Sequence, residues 1–339
     1  MAMESVFDMA AGLTNAGLGK HISDKDKEFI RLYHGGNGLV ECANYYAKRF
    51  SAERDYFACF IVAELCRIQR GFSKAIKYYE SICTQIDEMT KSVFLHIDGR
   101  ELKLDWQTLK PIVAESCQKL GEIYMQDSTK DYAKAAIFLQ KGCALGDAEC
   151  YRALGYLYQE GFGVAQSYER AFECYQKSAN LGNIKAYCNL GLLYEEGRGV
   201  EKDYKKAIDF YQKAADSGSA EAYFNLGYMS QYGYGVERDY KKAIKYYQKS
   251  ADLGYAEAYS NLAYMYSNAQ GVEKDSDKAL ELYKKSADLG YAGAYKHLGI
   301  IHEEGDGVEK DAQKATEFYE QACKIGGDCN NFNRMKNTQ

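Results

Sequence analysis

Apolar and small residues recur along this chain on two nested scales, a helical one of three to four residues and a longer one of 36. Gly155, Gly191, Gly227 and Gly299 share one register, with Ala263 in the fourth place. Val164, Val200, Val236, Val272 and Val308 follow, then Ala171, Ala207, Ala243, Ala279 and Ala315, then Tyr175, Tyr211, Tyr247, Tyr283 and Tyr319. Self-similarity at such a period marks a stacked repeat and takes precedence over any local reading. Within one copy, Tyr223, Leu226 and Gly227, and then Ala243, Ile244, Tyr247 and Ala251, fall on helical spacing. Each copy therefore reads as two antiparallel helices, A then B. Neither can bury its apolar stripe against the other alone, so neighbouring pairs must stack on a shared core. Glycine at the Gly227 position removes a Cβ where the two helices cross. A shorter copy precedes the five full ones, with Leu120, Gly121, Tyr124, Ala135 and Gly146 in matching roles and two residues fewer in its turn.

The glycine-spaced turn between the helices, QYGYGVERDYKKA at 231–243, poses a choice. A glycine-rich loop opening onto a helix can cradle phosphate on bare N–H groups at the positive end of the helix dipole. Gly233 and Gly235 recur as Gly161 and Gly163, Gly197 and Gly199, and Gly305 and Gly307, so one protein would carry four identical phosphate sites. Glycine is wanted equally wherever the chain must turn with positive φ, and that reading explains the repetition. Ala269 replaces the first glycine in one copy while Gly271 keeps the second, which marks the second as the stricter position.

The pattern A-x4-G-x2-Y-x2-G-x-G-V-x6-A-x3-Y-x6-G, read over 186–218 and echoed in the next copy, resembles the Sel-one-like repeat, a relative of the tetratricopeptide repeat. The resemblance covers about 114–326 and implies an all-α, right-handed α-solenoid of stacked antiparallel helix pairs acting as a scaffold for protein contacts. Upstream, GFSKAIKYYES at 71–81 nearly copies KKAIKYYQKS at 241–250, which places a degenerate tetratricopeptide-like region over 25–90, after an N-terminal segment at 1–24. VFLHIDGRELKL alternates about Asp98 and Gly99, a favoured two-residue turn, and predicts a small β-hairpin insertion over 91–106 that pairs Val93 with Leu104 and Leu95 with Leu102. A short atypical repeat then occupies 107–146, five full repeats 147–326, and a tail 327–339. Arg334 stands where the next core leucine belongs, so the tail is expected to form at most a capping half-helix.

Composition narrows the function. The net charge of -5 argues against a nucleic-acid partner held by phosphate contacts. No stretch reaches the length of a membrane span, and the first twenty residues lack the charge order of a secretory signal. Eleven cysteines, odd in number and scattered through helical pattern, fit reduced thiols in a cytoplasmic protein. Cys143 and Cys150 bracket one turn between a helix B and the next helix A, and Cys323 and Cys329 bracket a similar one; the secreted cysteine-rich branch of the resembled family closes disulfides near such turns. Cys143 and Cys150 align with alanines, so both pairs read as reduced small fillers.

No catalytic constellation, metal site or cofactor is expected. Ser116 and Lys119 match the S-x-x-K of penicillin-recognising serine enzymes, and some relatives carry a β-lactamase label, so a β-lactam or cell-wall-peptide hydrolase is the alternative function. Neither K-T-G nor S-D-N occurs, however, and Ser116 fills the small position held elsewhere by Cys150, Ala186 or Ala222. GLTNAGLGK at 12–20 fails the nucleotide-loop pattern, with Thr14 for the first glycine and His21 for Ser or Thr. His297 and His302 lie about 140 degrees apart round a helix and cannot readily share a metal. His302 takes the place of Tyr158, and Glu303 and Glu304 read as solvated acids.

The leading function is a non-enzymatic scaffold or adaptor, its concave helix-A face holding a partner protein or peptide. Positions around the leucine of the Leu-Gly pair supply the candidate surface: Phe224, Tyr228, Gln231, Tyr232 and Tyr264, with Tyr156 in an earlier copy. Glu195, Glu221 and Glu257 flank them, which favours a partner segment with Lys or Arg beside an apolar residue. The competing reading packs these tyrosines on the next helix A.

Overall fold

The structure, a computed structural model, describes residues 106–337, the strand residues 93–97 and 100–104, and 75–77, 79, 80 and 83 ahead of them. The N-terminal segment, most of the upstream helical region, the nucleotide-loop-like stretch and the Asp98–Gly99 turn lie outside the described residues. Strands β1 (Val93–Ile97) and β2 (Arg100–Leu104) pair antiparallel, with Val93 opposite Leu104 and Leu95 opposite Leu102. The described chain is otherwise helical and falls into two compact units, Met1–Asn183 and Ile184–Gln339.

In the first unit α1 (Trp106–Tyr124) pairs with α2 (Tyr132–Ala144), and α3 (Ala148–Glu160) with α4 (Tyr168–Asn180). The second unit contains α5 (Ile184–Glu196), α6 (Tyr204–Asp216), α7 (Ala220–Tyr232), α8 (Tyr240–Asp252), α9 (Ala256–Ser267), α10 (Ser276–Asp288), α11 (Ala292–Glu304), α12 (Ala312–Lys324) and α13 (Asn330–Asn337). Odd-numbered helices from α1 to α11 are the A helices and even-numbered ones the B helices. Within each unit the pairs stack as a solenoid, each B helix packing on its own A helix and on the next one.

Local sequence sets the helix boundaries. Asp203, Asp239, Asp275 and Asp311 each accept a hydrogen bond from a first-turn N–H of α6, α8, α10 and α12, satisfying donors that the helix itself leaves open. The backbone N–H of the same residue donates back to helix A, as from Asp239 to the Ser230 carbonyl at 2.9 Å, and so closes the turn. At the other end of the pair, Ser178, Ser250 and Ser286 donate to the carbonyls of Ala148, Ala220 and Ala256, which open the A helices.

Tyr175, Tyr211, Tyr247 and Tyr319 are the large buried side chains at the centre of each pair. A Cβ on Gly227 would stand 2.7 Å from the Tyr247 ring, so glycine there makes room for the tyrosine rather than for helix backbone alone. The tail forms the single eight-residue helix α13, which packs on α12 and buries Met335. Arg334 faces outward to Glu303 instead of entering the core, in a two-point ion pair with both contacts at 2.7 Å.

One cysteine reading is overturned. Cys323 and Cys329 form a disulfide, with their Cα atoms 4.8 Å apart, joining the last turn of α12 to the approach to α13. Six residues and a tight turn at Gly326 bring the two Cβ atoms together, geometry that alignment with alanine does not reveal. Cys143 and Cys150 are free and buried.

Candidate protein-interaction face

The residues expected from the sequence to face a partner separate by depth. Tyr232 is 50% exposed and Tyr264 38%, from α7 and α9 in adjacent repeats, while Tyr228 is half-buried. Tyr228 lies 4.6 Å from Tyr232 and 5.9 Å from Tyr234 between ring centres, and Tyr232 and Tyr234 are 5.9 Å apart. Phe224 leans inward, 5.7 Å from Tyr247 and 5.2 Å from Tyr255, against the core that continues into the next repeat. Tyr156, 41% exposed, belongs to the first unit.

Gln231 turns inward rather than to the surface. It is 4% exposed, accepts from the Tyr247 hydroxyl at 2.7 Å and donates to Gln270 at 3.0 Å. The same role recurs: Tyr175, Tyr211 and Tyr319 donate to Gln159, Glu195 and Glu303, each 16 residues upstream. Position five after the leucine thus supplies the acceptor that a buried phenol needs. Glu195 is half-buried for this reason, and desolvation raises its carboxyl while the Tyr211 bond opposes the rise. Glu303 is likewise engaged rather than solvated, held below the ordinary carboxylate range chiefly by Arg334. Glu221 is exposed and Glu257 half-buried at the starts of α7 and α9.

The turns carry a contact that periodicity did not reveal. The residue between the two glycines reaches back to the first turn of the preceding helix B: Phe162 stacks on Tyr132 at 4.7 Å, and Tyr234 on Tyr204 at 5.1 Å. In a later copy Asp306 takes that place, accepting from Ser276 and pairing with Lys274 at 3.0 Å. The turns are inter-repeat contacts as well as connectors.

Nothing among the described residues supports the hydrolase alternative. Ser116 is fully buried in α1, and Lys119 pairs with Glu122 at 3.5 Å. Burial pushes the Cys143 and Cys150 thiols up, and Cys174 to about 11, so they are poor nucleophiles at neutral pH. His297 stacks on Tyr283 and His302 on Phe318; burial lowers both imidazoles. Among the described residues no three His, Cys, Asp or Glu side chains gather as a metal site, and no helix is long and apolar enough to cross a membrane.

Stacked two-helix repeats with a tyrosine-glycine core and a paired-glycine turn define a helical repeat protein of the tetratricopeptide-like class. The Sel1 repeat family model matches residues 65–87, 114–147, 148–183, 184–219, 220–255, 256–291 and 292–327, and the chain belongs to that family. It is similar to a solved Sel1 repeat protein from Oxalobacter formigenes, at 29% identity and TM-score 0.57, over 65% of this chain and 98% of that one. A protective antigen from uropathogenic Escherichia coli that displays an SLR fold is 25% identical with TM-score 0.59, over 85% of this chain and 56% of the antigen. No curated protein matches the chain in sequence.

Proposed function

We propose that the protein is a non-enzymatic scaffold or adaptor whose helix-A face in the unit Ile184–Gln339 holds a partner protein or extended peptide. The observation that carries this reading is the exposure of Tyr232 and Tyr264 beside the half-buried Tyr228. Large aromatics left at a surface while the tyrosines at the centre of each helix pair are buried suit interface anchors, which commonly cost about 2 kcal/mol or more when truncated. Glu221 and Glu257 favour a segment with Lys or Arg beside an apolar residue. Gln231 and Glu195 act one layer deeper, holding the tyrosines of helix B in place. Six free cysteines among the described residues are buried, which suits a reducing, cytoplasmic compartment beside the one Cys323–Cys329 bridge.

Selection of a random peptide-display library on the tagged protein tests the proposal. Enriched peptides should carry a basic residue next to an apolar one. The double variant Tyr228→Ala and Tyr264→Ala should bind them at least about 30-fold more weakly, with circular dichroism and melting temperature nearly unchanged. Undiminished binding by a folded double variant removes the face from consideration; unfolding of that variant makes the tyrosines core.

A further inference from the structure

This chain covers its tyrosine rings with its own cations. Lys206 lies 5.2 Å over Tyr194, Lys249 5.1 Å over Tyr223, Lys278 4.4 Å over Tyr266 and Arg238 5.3 Å over Tyr240. In the second unit one such cation begins a longer series. Lys202 sits 4.6 Å over Tyr204, Tyr204 stacks on Tyr234 with ring planes 9° apart, and Tyr234 stacks on Tyr232 with planes 20° apart. Tyr228 closes the far end against both Tyr232 and Tyr234. One end of this ladder is capped by a cation. At the other, Tyr232 is half exposed and no cation lies over Tyr228, Tyr232 or Tyr234 among the described residues.

A shorter version of the arrangement recurs, with Glu160 at the position of Tyr232. In the first unit Lys130 lies 5.5 Å over Tyr132, Tyr132 stacks on Phe162 with planes 14° apart, and Phe162 meets Tyr156 edge-on at 6.1 Å. Lys130, Tyr132, Tyr156 and Phe162 occupy the same repeat positions as Lys202, Tyr204, Tyr228 and Tyr234. Tyr156 is exposed, where its counterpart Tyr228 is half-buried, and carries no cation among the described residues.

We propose that the uncapped ends of these ladders, Tyr228 with Tyr232 and Tyr156 in the other unit, are receptor sites for a cationic side chain of the partner, a guanidinium or an ammonium group. The proposal rests on the scaffold reading and supplies the chemistry of its recognition. An aromatic face attracts a cation within about 6 Å, by roughly 0.5–2 kcal/mol according to its desolvation. Stacked rings present a face without having to be ordered on binding. The surroundings of the second-unit site agree in sign: the Glu195 charge acts on the Tyr228 phenol, the A helices α7 and α9 contain acidic residues but no Lys or Arg, and Lys202 and Arg238 are engaged over Tyr204 and Tyr240; in the first unit Arg152 of α3 is paired with Glu149. An anionic or neutral apolar partner would not match that field.

Cationic probes test this directly in the full chain with tyrosine rings carbon-13 labelled at the ε positions. Signals are assigned by single Tyr→Phe variants, and tetramethylammonium and N-acetyl-arginine amide are titrated at constant ionic strength. Saturable shifts are expected at Tyr156, Tyr228 and Tyr232, with little change at Tyr194, Tyr223 and Tyr266, which already hold a lysine. N-acetyl-citrulline amide, a neutral isostere, should produce at most about a fifth of the response. Tyr232→Phe keeps a face and should keep the response at Tyr228; Tyr232→Leu keeps apolar bulk and should lose it. Equal shifts with citrulline, shifts spread over the capped tyrosines, retention in Tyr232→Leu, or no saturable shift each overturn the assignment. If peptide binding still depends on Tyr228 and Tyr264 while the cation probes give no response, the cation assignment falls and the scaffold reading stands. Probe responses in a protein that enriches no peptide leave the receptor sites and remove the scaffold reading.

Discussion

Two glycines that look equivalent in the repeated turn do different work. Gly233 has φ 76° and an added Cβ would meet the Arg238 Cβ at 3.2 Å, a contact with a side chain that can yield. Gly235 has φ 71°, and a Cβ there would stand 2.7 Å from the Tyr204 Cβ and 3.0 Å from its carbonyl carbon, in the helix start of the preceding repeat. Ala269 adopts φ 54° at the first position of another copy, where helix A ends one residue sooner, so alanine is accommodated there. Gly235→Ala should therefore lower stability by about 2–5 kcal/mol through overpacking added to backbone strain, and Gly233→Ala by about 1–2 kcal/mol through backbone strain alone. Denaturant midpoints of the two variants check the order; equal losses would mean that backbone conformation alone sets the requirement. The sequence carried this distinction in the single alanine at 269. It did not carry the acceptor role of Gln231, because a bond between residues 16 apart depends on how one helix crosses another.

At the scale of an element, the end of the array is held by two different fastenings. The Cys323–Cys329 bridge ties α13 to α12, and Arg334 ties it to Glu303, which also receives the Tyr319 hydroxyl. Glu303 is held below its ordinary value, so its contribution is present at neutral pH and is lost as pH falls through that depressed value, below the usual carboxylate range near 4. With the bridge intact the helix remains tethered through that loss. In Cys323→Ser, amide protection in α13 should fall by about two- to fivefold between pH 6 and pH 3, while protection in α7 changes little. A flat profile across that range would remove the ion pair as a fastening. The stop itself was legible, since Arg334 cannot replace a core leucine, and so were the helix pairs, since a repeated pattern averages out local ambiguity. The disulfide was not, because alignment with alanine describes only the size a position accepts. The stacking of Tyr234 on Tyr204 was equally hidden, since neither residue is distinctive until the turn folds back onto the previous repeat.

The molecule as a whole is assembled from nearest-neighbour contacts, and its response to damage should follow from that. In the unit Ile184–Gln339 each B helix touches its own A helix and the next one, while contacts between A helices of adjacent repeats are few. Such an array has a stability close to a sum of repeat and interface terms, so a lesion loosens its own repeat and the adjoining interfaces before distant ones. Gly227→Ala is a suitable lesion because the new Cβ would press on the buried Tyr247 ring at 2.7 Å and strike no exposed residue of the proposed binding face. Overpacking of about 1–3 kcal/mol corresponds to a fall in amide protection of about 5- to 150-fold. Hydrogen exchange read by mass spectrometry should place that fall in α7 and α8, a smaller one in α6 and α9, and almost none in α12. The buried core residues from Ala243 to Ile301 form one connected cluster, and Tyr319 belongs to a separate one with Met335; of α12 only the partly buried Phe318 packs on the first, which puts α12 at the far margin of the disturbance. An equal loss of protection from α5 to α12 would mean that the unit opens as one cooperative block, and the nearest-neighbour account would then fail for this chain.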